Sequence, residues 1–95
     1  MYLRQLIGFF IRASADYRMG PHHLALYMAL FQVWCIQHGK NPFCVTQVHL
    51  REVAKLGRTT YHKCMRELAS FGYIQYTPSY SPMLGSLVKL VELDR

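Results

Sequence analysis

The stretch Arg58-Thr59-Thr60-Tyr61-His62-Lys63-Cys64-Met65-Arg66-Glu67-Leu68-Ala69-Ser70-Phe71-Gly72-Tyr73-Ile74 reads as one short helix with two incompatible faces, stopped by a glycine and followed by a strand. Tyr61, Cys64, Met65 and Leu68 fall at i, i+3, i+4 and i+7, a stripe that a helix buries. Thr59, Thr60, His62, Lys63 and Arg66 are left on the other side. Their hydroxyl, imidazole and cationic groups can bond phosphate oxygens and base edges. Thr59 is expected to cap this helix and Gly72 to end it. Tyr73 to Thr77 alternates and is rich in β-forming residues, so it reads as a strand.

Working upstream, Leu56-Gly57-Arg58 is a turn, and Thr46 is a candidate N-cap for a helix from Gln47 to Lys55. Val48, Val53 and Ala54 are expected to face inward there, with Leu50 and Leu56 near the edges. Phe43-Cys44-Val45 is a short extended piece. Met19-Gly20-Pro21 breaks the chain, and Pro21 suits the first turn of the longest helix, which ends near His38 and Gly39. Leu24, Tyr27, Met28, Phe31, Trp34 and Cys35 form its expected inward stripe. Leu3, Leu6, Ile7, Phe10 and Ile11 repeat with helical spacing, with Phe9 off that stripe. Downstream, Pro78 to Ser86 reads as a loop with two prolines and a glycine, and Leu87 to Leu93 as a second strand. The expected fold is mainly α with a small β-hairpin (α+β), a single domain over 1–95. Its parts are an N-terminal helix (1–14), a first core helix (21–38), a second helix (46–55), a third (59–71) and a hairpin (73–93).

The 95 residues carry 11 Lys plus Arg against 5 Asp plus Glu, a formal charge of +6, and this positive field favours polyanions. The three cysteines, Cys35, Cys44 and Cys64, are an odd set with no close pair, which argues against a disulfide framework and fits a reducing cytoplasm. The apolar run Leu24 to Ile36 is interrupted by Gln32 and is too short to span a bilayer, so no membrane partner is expected. No signal peptide is read in the first residues.

The order helix, helix, turn, helix, hairpin resembles the winged helix-turn-helix superfamily. The segment Thr59 to Ile74 is similar to that superfamily's recurrent pattern of a small polar start, a basic residue, a leucine and then Gly-aromatic-Ile. The wider stretch Gly20 to Ser86, with Leu26-Tyr27-Met28-Ala29-Leu30-Phe31-Gln32-Val33-Trp34 and Tyr76-Thr77-Pro78-Ser79-Tyr80, resembles short bacterial winged-helix proteins of mobile elements and prophages. Those are described as transcriptional regulators or replication-associated proteins. The resemblance implies a recognition helix over 59–71 and a wing over 73–93, acting on double-stranded DNA in transcription regulation or replication control. Thr59, Thr60, His62, Lys63 and Arg66 would then face the groove. The chain departs from the pattern at the wing tip, Ser79 to Ser86, which lacks Lys and Arg. Only Tyr80 there could stack or bond through its hydroxyl.

Arg51, Lys55, Arg58, Lys63 and Arg66 straddle the two helices at the turn, with only Glu52 and Glu67 nearby to pair them. Such a set would hold phosphates and give salt-sensitive binding; the bland reading is a solvated helix surface. Cys35-x2-His38 is the only spacing suited to structural zinc, and it sits on a core helix, so no metal and no cofactor are expected. The five carboxylates form no evident pair, the serines sit in no nucleophile motif and there is no phosphate loop, so an enzyme is not expected. The stripe Leu3, Leu6, Ile7 and Phe10 is either core or the seam of a homodimer. The alternative to DNA readout is a protein–protein assembly module of a replication or mobile-element complex.

Overall fold

A computed structural model describes residues 2–78 and 85–93. Four helices, α1 (Leu3–Ser14), α2 (Pro21–Ile36), α3 (Gln47–Ala54) and α4 (Arg58–Ser70), accompany three strands, β1 (Phe43–Val45), β2 (Ile74–Thr77) and β3 (Ser86–Leu90). The strands form an antiparallel sheet in the order β1-β3-β2. Val88 stands opposite Tyr76 on one side and Phe43 on the other. The architecture is therefore α+β, and its β part is one strand larger than a hairpin. Phe43, Val45, Ile74, Val88 and Leu90 alternate onto the buried face of the sheet, as a period-two pattern requires.

Local chemistry explains the element ends. Thr46 caps α3, its hydroxyl accepting the His49 amide at 3.3 Å. At the end of α4 the Tyr73 amide donates to the Leu68 carbonyl and the Gly72 amide to Ala69, with Gly72 at φ 88°. This is the reciprocal closure that a left-handed residue makes possible. Gly85, at φ 72°, begins β3; a side chain there would drive its Cβ to 2.5 Å from the Val45 carbonyl oxygen. The expected Thr59 cap is corrected. Gly57 is the N-cap of α4 and offers no side-chain bond, which leaves Thr59 exposed in the first turn.

The helix faces also depart from the expected stripes. In α1 the buried residues are Gln5, Gly8, Phe9 and Ala13, while Leu3, Ile7, Phe10 and Ile11 are exposed. Phe9 stacks flat on Tyr27, centroids 3.6 Å apart, and meets the Tyr73 ring edge-on at 5.5 Å. Gln5 donates to the Tyr27 hydroxyl and the Val91 carbonyl and accepts from the Leu93 amide. A polar residue with its bonds satisfied by backbone can occupy the inner face, and Gly8 and Ala13 let the helix lie close.

In α2, Leu26, Tyr27, Ala29 and Leu30 are fully buried and Met28 is exposed. That helix is apolar all round and packs on α3, α4 and β1 as well as beneath α1. Periodicity alone cannot choose a face for such a helix. In α3, Leu50 and Ala54 are buried, as is Leu56 just past its end, and Val48 and Val53 face outward. Of the expected tip, Ser79 to Ser86, residues 79–84 with Tyr80 lie outside the described residues.

Candidate nucleic-acid interface

The face of α4 opposite its buried residues presents Thr59, Lys63, Arg66 and Ser70, all exposed. Their spacing of four, three and four residues sets them in one outward line. Arg58 is exposed beside them, and Thr60 and His62 flank the line half-buried. The inner face holds Tyr61, Cys64, Met65 and Leu68, all buried, so the outer side chains rise from a helix locked into the core. Ser70 lies on the same line, although sequence reading left it aside. Its only advance signal was its distance of four residues from Arg66.

Among the described residues, no ion pair engages Lys55, Arg58, Lys63 or Arg66. Glu67, the acid on α4, is turned away and accepts a 2.8 Å bond from His23 Nε2. The other ion pair among the described residues, Arg18 with Asp16, belongs to the α1–α2 turn. There Arg18 holds the Asp16 carboxyl well below the usual carboxylate range, helped by the Tyr73 hydroxyl. Arg12 is likewise engaged, donating to the Phe71 carbonyl at 2.9 Å and lying over the Tyr73 ring. With Arg12 and Arg18 occupied in structure, Lys55, Arg58, Lys63 and Arg66 are four exposed cations at the end of α3 and along α4, while Arg4, Lys40 and Lys89 are exposed elsewhere.

Lys55 sits at the C-cap of α3 in the left-handed region, φ 60°. This conformation is strained for a residue with a Cβ. Arg51 is half-buried and donates to Gln47 Oε1 at 3.3 Å, with its Nε enclosed and unpartnered. Its expected role as a free phosphate contact is thus narrowed, because part of the guanidinium is committed to α3.

Between α4 and the sheet lies a cleft of ≈ 410 Å³, lined by Gln47, Tyr61, His62, Arg66, Tyr76, Pro78 and Ser86. Burial pushes the Tyr61 phenol up to about 12, so it remains a neutral hydroxyl. The cleft continues the polar face of α4 toward the base of the β2–β3 hairpin. Of the hairpin tyrosines, Tyr73 is fully buried and Tyr76 half-buried.

Metal-binding side chains gather elsewhere than at Cys35 and His38. The ligand atoms of His23, Cys64 and Glu67 lie within 4.8 Å of one another. Their bonding does not suit a cation. The Gly20 amide donates to His23 Nδ1 at 2.9 Å, which makes Nε2 the donor toward Glu67. Turning the Nε2 lone pair to a metal would put a hydrogen on Nδ1, facing the Gly20 N–H. Burial and the Glu67 carboxylate also raise the Cys64 thiol, against the thiolate a metal requires. The cluster instead fastens the start of α2 to α4.

No disulfide links Cys35, Cys44 and Cys64. No helix among the described residues is long and apolar enough to cross a membrane. No protein-family model matches the chain, and the searches of curated proteins and of solved structures returned no match to it.

Proposed function

We propose that this chain is a winged-helix protein that binds double-stranded DNA, with α4 in the major groove and the α3–α4 turn against the backbone. One observation carries the reading. Thr59, Lys63, Arg66 and Ser70 form an exposed line on a rigid helix, its own acid drawn inward to His23, with Arg58 and Lys55 at its flank. Donors held this way can reach phosphates and base edges without reorganising. At 13 residues α4 is about 20 Å long, and a helix of ordinary girth enters a groove ~12 Å wide.

The order α2, α3, α4 and then β2–β3 supports the winged-helix assignment, since it repeats helix, helix, turn, helix, hairpin. Within this reading Thr59, Thr60, His62, Lys63 and Arg66 read the groove and Lys55 and Arg58 grip phosphates. Arg51 acts mainly by bracing α3. Control of transcription or replication in a mobile element is the role that the sequence resemblance suggests.

The test is fluorescence anisotropy of the whole chain with labelled random-sequence duplex DNA at two salt concentrations, followed by selection of the duplexes retained. Binding that weakens with salt and enriches a common site supports the proposal. Absence of binding at low salt would favour the second reading, an assembly module. The exposed apolar face of α1 is the observation that favours that alternative.

A further inference from the structure

Helix α1 is held to the domain through Gln5, Gly8, Phe9 and Ala13, and it leaves its more aliphatic side uncovered. Leu3 is 59% exposed, Ile7 49%, Phe10 42% and Ile11 63%. From these values the four side chains expose on the order of 400 Å² of apolar surface, at the scale of the largest patch on an ordinary monomer. The domain buries the mixed side of α1 and leaves this apolar stripe in water, where a helix ordinarily turns its polar face.

We propose that this face is the seam of a symmetric dimer, occupied by α1 of a second copy. Three features select that occupant. First, a two-fold interface must be self-complementary. Leu3, Ile7 and Ile11 form a single ridge stepping by four residues and centred on Ile7. Laid antiparallel about an axis at Ile7, the Leu3 end of one helix meets the Phe10–Ile11 end of the other, aliphatic against apolar throughout.

Second, the area suffices. Doubled over two copies and completed by a polar rim at the proportion usual for homodimers, the patch gives roughly 1,200 Å² of buried surface, the lower bound for a specific interface. Third, the charges are wrong for a lipid surface. An amphipathic helix lying on anionic lipid is flanked by several cations, whereas here Arg12 is bound to the Phe71 carbonyl and Arg4 stands alone beside the stripe. On α1 itself Arg4 is an exposed cation beside the stripe, while Lys55, Arg58, Lys63 and Arg66 belong to the end of α3 and to α4. This inference stands independently of the DNA reading.

Sedimentation velocity of the full chain tests it, across roughly 1 to 200 μM, where interfaces of this area associate. The mass is expected to rise from 11.1 kDa toward twice that value. Ile7→Glu and Ile11→Glu are each expected to raise the dissociation constant about 30-fold or more, the size of effect that a central contact carries. Both positions are exposed, so helical circular dichroism and the melting temperature should hold. Val48→Glu, at a site 69% exposed on α3, should leave self-association unchanged. A single 11.1 kDa species throughout overturns the proposal, as does equal disruption by Val48→Glu. Monomer that is retained by phosphatidylserine vesicles and released by Ile11→Glu would assign the face to lipid and overturn it too.

Discussion

Replacing Lys63 and Arg66 together by alanine is the sharpest perturbation of the proposed interface. Both are exposed and neither is in an ion pair among the described residues, so the fold should not register their loss. Four exposed cations line this side: Lys55, Arg58, Lys63 and Arg66. If each neutralises one phosphate, the logarithm of the binding constant falls with the logarithm of salt at a slope near −3.6, about 0.9 per contact. Raising salt fourfold, from about 50 to about 200 mM, then weakens the wild type roughly 150-fold. The double variant retains two contacts and a slope near −1.8, so the same change costs it only about 12-fold. Anisotropy titrations against one duplex at four salt concentrations read both slopes. Equal slopes and equal affinities, with unchanged circular dichroism, would refute the placement of α4 against DNA. A weaker constant with an unchanged slope would mean that the two residues touch bases rather than phosphates, and it would move the phosphate grip to Lys55 and Arg58.

Other outcomes follow from the packing and the titrating groups. Phe9→Ala should destabilise the protein by about 3–5 kcal/mol in urea unfolding, because the ring is fully buried and stacked on Tyr27. Phe10→Ala should cost less than about 1 kcal/mol in the monomer, and the reverse ranking would show that α1 is rotated. Lys55→Gly should relieve the left-handed strain at φ 60°, gaining about 1 kcal/mol, or ~4–8 °C in melting temperature, while weakening DNA binding; a lower melting temperature would contradict the strain argument. Burial pushes the Tyr27 and Tyr61 phenols up to about 12 from an ordinary 10.0. Folding thus favours their protonated forms, so this stability is intact below pH 10 and is lost as pH rises toward about 12. Absorbance in the tyrosinate band should show Tyr27 and Tyr61, and with them buried Tyr73, ionising later than the exposed tyrosines, and ionisation of all seven near pH 10 in folded protein would contradict their burial.

The parts of the fold legible in the sequence are those governed by short-range chemistry. Thr46 before a helix and Gly72 after one each act on amides within a few residues, and both mark real element ends. The buried stripe of α4 was legible because its opposite face is strongly polar, so only one orientation satisfies both sides. The errors fall where that contrast is missing. Helix α2 is apolar all round, so no one face stands out; in α1, whose stripe the sequence leaves open as core or seam, the stripe lies outside and Gln5, Gly8, Phe9 and Ala13 inside. For α3, the β-branched valines drew the expected face away from Leu50, which is fully buried. The Thr59 cap failed because Gly57 already supplies the extended backbone at the helix start. The pairing of β1 with β3 joins residues some forty positions apart, a contact for which strand propensity gives no signal.

For the candidate site, the residue types and their spacing settled in advance that Thr59, Lys63 and Arg66 share a helix side and that this side is cationic. That follows from helical geometry, which needs no knowledge of the rest of the chain. Only tertiary structure decided which charges remain free. Arg12 is spent on the Phe71 carbonyl after α4, Arg18 on Asp16 in the α1–α2 turn, Arg51 is braced by Gln47, and Glu67 is turned inward by His23 from 44 residues upstream. Each of those outcomes depends on which distant group arrives within about 3 Å, the reach of a hydrogen bond, and that is a property of packing rather than of pattern.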